Sequence, residues 1–153
     1  MQDSVNHAAL IPEPKAWNHG AGIDLNRSIG GEGNYEHFIG YGRMLWPQFM
    51  EYDDCVLFTD RFTEKNCRAF MEQTKGDNRA VEVVMNHWHI EDMFCSAEPR
   101  STQEMILYIG RLLKDIWQTK LAPDVPNRSV SVSFPEEYQE DFLNCEISLF
   151  QDR

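Results

Sequence analysis

A chain of 153 residues is the length of one ordinary domain, able to bury roughly two-thirds of its extended surface without a disulfide or a metal. Its 25 acidic residues outnumber 14 basic ones; the net charge of −11 repels phosphate backbones and anionic lipid, which argues against nucleic acid and membrane surfaces, and it serves solubility while being compatible with a basic protein partner. No apolar run approaches the ~20 residues of a membrane span, no signal-type segment opens the chain, and Cys55, Cys67, Cys95 and Cys145 lack C-x-x-C spacing, so a reduced, cytoplasmic protein is expected.

Residues 1–31 carry Pro12, Pro14, Gly20, Gly22, Gly30 and Gly31 without sustained periodicity. That predicts an irregular arm ahead of a single α+β domain over 32–153. Gly30-Gly31-Glu32-Gly33 has the glycine density of a phosphate loop but lacks the following Lys-Ser/Thr and holds a carboxylate in its middle. It reads as a flexible hinge. Tyr35, Phe38, Ile39, Gly42, Leu45 and Trp46 then recur at helical spacing, and Pro47 stops that helix near Leu45.

After the turn-like Tyr52-Asp53-Asp54, residues 55–58 form a short buried strand. Thr63 caps a second helix, with Phe62 and Cys67 as a hydrophobic staple, Cys67, Phe70, Met71 and Thr74 facing inward, and Gly76 as its stop. Asp77 or Asn78 caps a third, which the spacing of Val81, Val84, Met85 and Trp88 carries through 79–94. Ser101-Thr102-Gln103-Glu104 is a capping box for the fourth, whose stripe is Met105, Ile106, Ile109, Leu112, Leu113, Ile116 and Trp117. Arg111, Lys114, Asp115 and Gln118 lie opposite, and Pro123 and Pro126 close it.

Val130, Val132 and Phe134 alternate with serines, and Leu143, Cys145, Ile147 and Leu149 alternate with Asn144, Glu146 and Ser148. Such alternation gives two half-buried strands, joined by the acidic stretch 135–141 into a hairpin. The fold class is α+β, a small antiparallel sheet with about four helices packed on one face.

Chemistry concentrates in 79–94. His87 and His89 form an H-x-H pair, which shares a face on a strand; on a helix two positions turn the side chain through about 200°. Because the surrounding spacing is helical, the two imidazoles are expected to diverge. His87 falls beside Val83, Ile90 and Phe94 on an apolar flank, His89 beside Glu82, Asn86 and Asp92 on a polar one. His89 with Asp92 is the candidate catalytic pair, a carboxylate orienting an imidazole as general base. His37, beside Glu36, joins His89 and Asp92 as a candidate set for a divalent metal such as zinc or iron; otherwise no cofactor is expected.

No G-x-S-x-G elbow is present, and the cysteines lack the basic neighbours that make a thiolate. The function expected first is therefore a non-catalytic binding protein, immunity- or antitoxin-like. Glu136, Glu137, Glu140 and Asp141 would draw in its basic partner. The alternative is a small enzyme with a His/carboxylate site, metal-assisted where His37 contributes. Exposed Trp17 or Trp46 would mark the interface of a homo-oligomer.

Overall fold

Side-chain caps set most helix starts in the computed structural model, which describes residues 7–11, 16–22, 24–94, 101–135, 137 and 144–153. The chain forms two units, Met1–Arg43 and Met44–Arg153. In the first lie α1 (His7–Leu10), α2 (Leu25–Glu32) and most of α3 (Tyr35–Leu45). The Asp24 carboxylate accepts from Arg27 N at 3.0 Å and so starts α2. Asn34 does the same for α3, its Oδ1 accepting from Glu36 N at 2.7 Å and His37 N at 3.1 Å. Gly30 and Gly31 therefore sit inside a helix and not in a hinge. Glycine weakens a helix interior by only about 0.5–1 kcal/mol, which a well-made cap offsets. The apolar side of α3 is legible from its spacing, yet Tyr35, Phe38 and Ile39 are exposed.

The second unit opens with a hairpin, β1 (Phe49–Tyr52) and β2 (Cys55–Phe58), paired antiparallel with Tyr52 opposite Cys55. Its two-residue turn requires positive φ at both positions, and Asp53 and Asp54 supply it at 46° and 65°. Arg128 Nε holds Glu51 at 2.9 Å and also reaches Asp54, while Arg153 Nη1 holds Asp54 at 2.9 Å. The hydrogen bonds from Arg128 and then Arg153 keep the Asp54 carboxyl below its ordinary range.

There follow α4 (Glu64–Gln73), α5 (Asn78–Met85), β3 (Trp88–His89), α6 (Gln103–Asp124), β4 (Val130–Ser133) and β5 (Glu146–Gln151). Thr63 and Asp77 cap α4 and α5 as expected. For α6 the cap is Thr102, whose hydroxyl accepts from Met105 N at 3.3 Å. Ser101, the residue expected to cap, donates to the Glu91 carboxylate and so is spent elsewhere.

A second sheet runs β3-β5-β4, antiparallel throughout, with Val130 opposite Gln151 and Trp88 opposite Ile147. The α+β class with small antiparallel sheets is thus what the chain adopts. Alternate residues of β5 face opposite ways. Ile147 and Leu149 join the core built on Ile106, Leu113, Trp117 and Leu121 of α6, with Val56 and Phe58 of β2. Ser148 and Phe150 meet α5: the Ser148 hydroxyl donates to Val83 O at 3.3 Å, and the Arg79 guanidinium lies 4.2 Å from the Phe150 ring centroid. So α6 covers one side and α5 the other. A smaller cluster, Cys55, Leu57, Cys67 and Val81, ties β2 to α4 and α5. Burial pushes the Cys55 thiol up to about 12, with the Glu82 charge adding to it, so Cys55 is a packing residue and not a nucleophile.

Helix side chains also satisfy strand edges. Gln118 of α6 donates from Nε2 to Val130 O at 2.7 Å and accepts at Oε1 from Val132 N at 2.9 Å, so its amide stands in for a further strand beside β4.

Gly110 sets how closely α6 approaches β4, since a methyl there would overlap the buried ring of Phe134. Alanine gains about 1 kcal/mol of helix propensity over glycine, but overpacking a core typically costs about 1–3 kcal/mol. The clash wins: Gly110→Ala is expected to lower the urea midpoint, and an unchanged or raised midpoint would show that the Phe134 ring can move aside. Among the described residues, no helix is long and apolar enough to cross a membrane.

Candidate functional site

The stretch 79–94 is not one helix. α5 ends at Met85, where Asn86 N donates to Glu82 O at 2.9 Å and the backbone turns extended. Asparagine is a poor helix former because its amide competes with the backbone, and here that amide is fully engaged. Asn86 Nδ2 donates to Val56 O at 2.8 Å and Leu149 O at 3.1 Å, and Oδ1 accepts from Phe58 N at 3.3 Å. Beyond it the edge of β5 offers unpaired backbone groups, which β3 takes; Ile90 N continues the ladder to Cys145 O at 3.1 Å.

The expected divergence of the histidines is therefore corrected. Extended backbone places residues two apart on one face. The His87 and His89 rings lie 5.6 Å apart, nearly perpendicular at 87°. The polar flank expected to include His89 is also divided. Glu82 and Asn86 are completely buried, while Asp92 is exposed.

His87, His89 and Asp92 all line one cleft of about 260 Å³, together with Arg61, Trp88 and a wall of methionines. His87 Nδ1 sits 2.6 Å from Val84 O. A carbonyl only accepts, so Nδ1 carries the proton and, in the neutral ring, Nε2 keeps its lone pair. His89 Nδ1 and Trp88 Nε1 are buried without a hydrogen-bond partner among the described residues. The Arg61 guanidinium stacks 3.9 Å from the Trp88 ring centroid and donates from Nη1 to His87 O at 3.0 Å. Burial lowers the Arg61 pKa, and the nearby Asp92 charge opposes that shift.

Arg61 and Trp88 are the site residues that sequence reasoning missed. Arg61 ends a 3-10 turn, Thr59–Arg61, with no periodicity to single it out, and Trp88 counted as core. Arg61 follows the wholly apolar strand only after Thr59 and Asp60, and no sequence signal singles it out.

His37 lies on α3 in the first unit, its ring 6.3 Å from that of Tyr41. Among the described residues, no group of three or more His, Cys, Asp or Glu side chains is gathered to hold a metal ion. Of the acidic run, Glu137 is described and exposed, while Glu136, Glu140 and Asp141 lie outside the described residues. Cys95 and Leu143 lie outside them too. Trp17 and Trp46 are exposed, as an interface would require, and Lys120 Nζ lies 5.5 Å from the Trp46 ring centroid. Compared with protein-family models, curated proteins and solved structures, the chain matches none.

Proposed function

We propose that the cleft is the active site of a small enzyme working by general acid–base catalysis, with His87 as base and His89 as its acid partner. The observation that carries this reading is the pair of imidazoles, 5.6 Å apart, lining one cleft with Arg61 and Asp92. His87 is held in the tautomer that leaves Nε2 able to accept a proton, which a general base needs. His89, half-buried beside it, can return a proton from its ring when charged. Asp92 lines the same cleft and is exposed to solvent. Buried, unreactive thiols at Cys55 and Cys67 suit a reducing compartment, so we place the enzyme in the cytoplasm. The binding-protein reading rests on the acidic balance, the lack of a nucleophile or cofactor loop and the acidic stretch 135–141, and no described geometry favours it.

Positioned acid–base groups contribute about 10²–10⁴-fold in rate. A panel of aryl esters, phosphomonoesters and phosphodiesters should yield turnover with a bell-shaped pH profile. Both His87→Gln and His89→Gln should reduce it by about that factor. Rates in the wild type no higher than in the double variant, on every substrate class, would overturn the assignment.

A further inference from the structure

Several arginines of this acidic chain hold carboxylates, while Arg79 lies on the Phe150 ring. Arg27, Arg68, Arg128 and Arg153 each hold one. Arg61 forms no ion pair among the described residues, although acidic side chains outnumber basic ones by 25 to 14. Its guanidinium has five N–H donors in a rigid fork, and a single hydrogen bond, to His87 O, is formed. Its contact with the face of Trp88, 3.9 Å from the ring centroid, and its bond to His87 O hold that fork in place beside the cleft. Two more ring nitrogens on residues lining the same cleft, Trp88 Nε1 and His89 Nδ1, are buried without partners among the described residues. An indole N–H can only donate, and a buried donor without an acceptor is costly to keep. The Arg61 fork and the Trp88 indole N–H are donors with bonds left to make beside this cleft, and His89 Nδ1 joins them when it carries the proton, which suits an acceptor with several lone pairs.

The charge and shape of that acceptor follow from the remaining walls. Asp92 also lines the cleft, and a ligand carrying two negative charges would meet its repulsion more strongly than a monoanion would. Val84, Met44, Met85 and Met93 supply an apolar, adaptable lining for the rest of the molecule. A volume of about 260 Å³ limits that molecule to a small one.

We propose that the cleft takes small apolar monocarboxylates, the carboxylate held by the Arg61 fork and the hydrocarbon part lying against Trp88 and the methionines. As the substrate class of the acid–base cleft it rests on that reading, but binding is measured without turnover, so the two can fail separately.

The experiment is titration of the full chain with hexanoate, hexanamide and inorganic phosphate, followed by calorimetry and by the ring ¹⁵N resonances of His87 and His89. Hexanoate should bind and shift both rings. Hexanamide, equal in shape but uncharged, should bind at least about tenfold more weakly, because hydrogen bonds between charged partners are the stronger kind. Arg61→Met should lose hexanoate affinity by at least about tenfold while the His87 tautomer signature stays unchanged, and Arg61→Lys should fall between, keeping charge without the fork. Equal affinity for acid and amide, or no shift of either ring with hexanoate, overturns the proposal without reliance on any variant. Tighter binding of phosphate than of hexanoate overturns the carboxylate assignment. Hexanoate binding with no histidine-dependent turnover would sink the catalytic reading and leave this one standing.

Discussion

Glu82→Ala is expected to cost this fold about 2–6 kcal/mol, about 1–3 kcal/mol for each of the two buried backbone N–H groups it leaves without an acceptor. Glu82 is completely buried in α5. Its Oε1 accepts from Val56 N at 2.8 Å and Gln151 Nε2 at 2.6 Å, its Oε2 accepts from Gln151 N at 2.9 Å, and Arg153 lies 3.7 Å away. Val56 belongs to β2 and Gln151 to β5, strands of two different sheets. Between those sheets the described residues show side chains where a continuous sheet would have a backbone ladder, with Asn86 one turn further along serving Val56, Phe58 and Leu149. Alanine would strand two backbone N–H groups in the interior, each costing about 1–3 kcal/mol, and leave Arg153 with less to hold. Glu82→Gln keeps the shape but aims an NH₂ at an N–H, so a loss of about 1–3 kcal/mol is expected. Urea denaturation read by far-ultraviolet circular dichroism should order the proteins wild type, Gln, Ala, with m unchanged. An alanine variant within about 0.5 kcal/mol of wild type would place Glu82 with ordinary surface residues and remove the seam from the account.

That seam explains which parts of the fold were legible. β4, β5 and α6 were, because alternating apolar residues in a strand and the stripe of an amphipathic helix repeat their signal every second, or every third and fourth, residue, although the serine face of β5 is covered by α5 and not half-buried as expected. The caps at Thr63 and Asp77 were legible for a local reason, an oxygen one turn from an orphan N–H. Glu82 and Asn86 were not. Four apart and polar, they look like the solvated side of a helix, and only the arrival of two strand edges from residues 56 and 149–151 turns that side inward. The same event hid the site. With Asn86 committed to the strands, the helix stops, β5 draws residues 88–90 into its ladder, and the histidines come to share a face that helical spacing denies them. Arg61 reaches the cleft through tertiary packing alone and leaves no pattern along the chain. β1 went unforeseen because Phe49-Met50-Glu51-Tyr52 lacks clean alternation, its partner β2 being buried along its whole length.

Trp117→Ala should be the other large loss, about 3–5 kcal/mol for truncating a fully buried tryptophan. Trp117 has no exposed surface; its ring meets Phe58 at 4.9 Å and Trp88 at 5.8 Å, both edge-on, and its Nε1 donates to Met44 O at 3.0 Å. Alanine would leave a cavity on the scale of an indole and an orphaned carbonyl. The loss should also reach the cleft, since the Trp88 ring meets both Trp117, 5.8 Å away, and Arg61, 3.9 Å from its centroid. Gly110→Ala supplies the control: it strains the same core through Phe134, which is not one of the rings stacked towards Arg61. Trp117→Ala is therefore expected to weaken hexanoate binding several-fold beyond any change in Gly110→Ala, with both proteins folded at the temperature of measurement. Should the two variants bind hexanoate equally, Arg61 is held in place by its bond to His87 O, and the stacked rings serve stability alone.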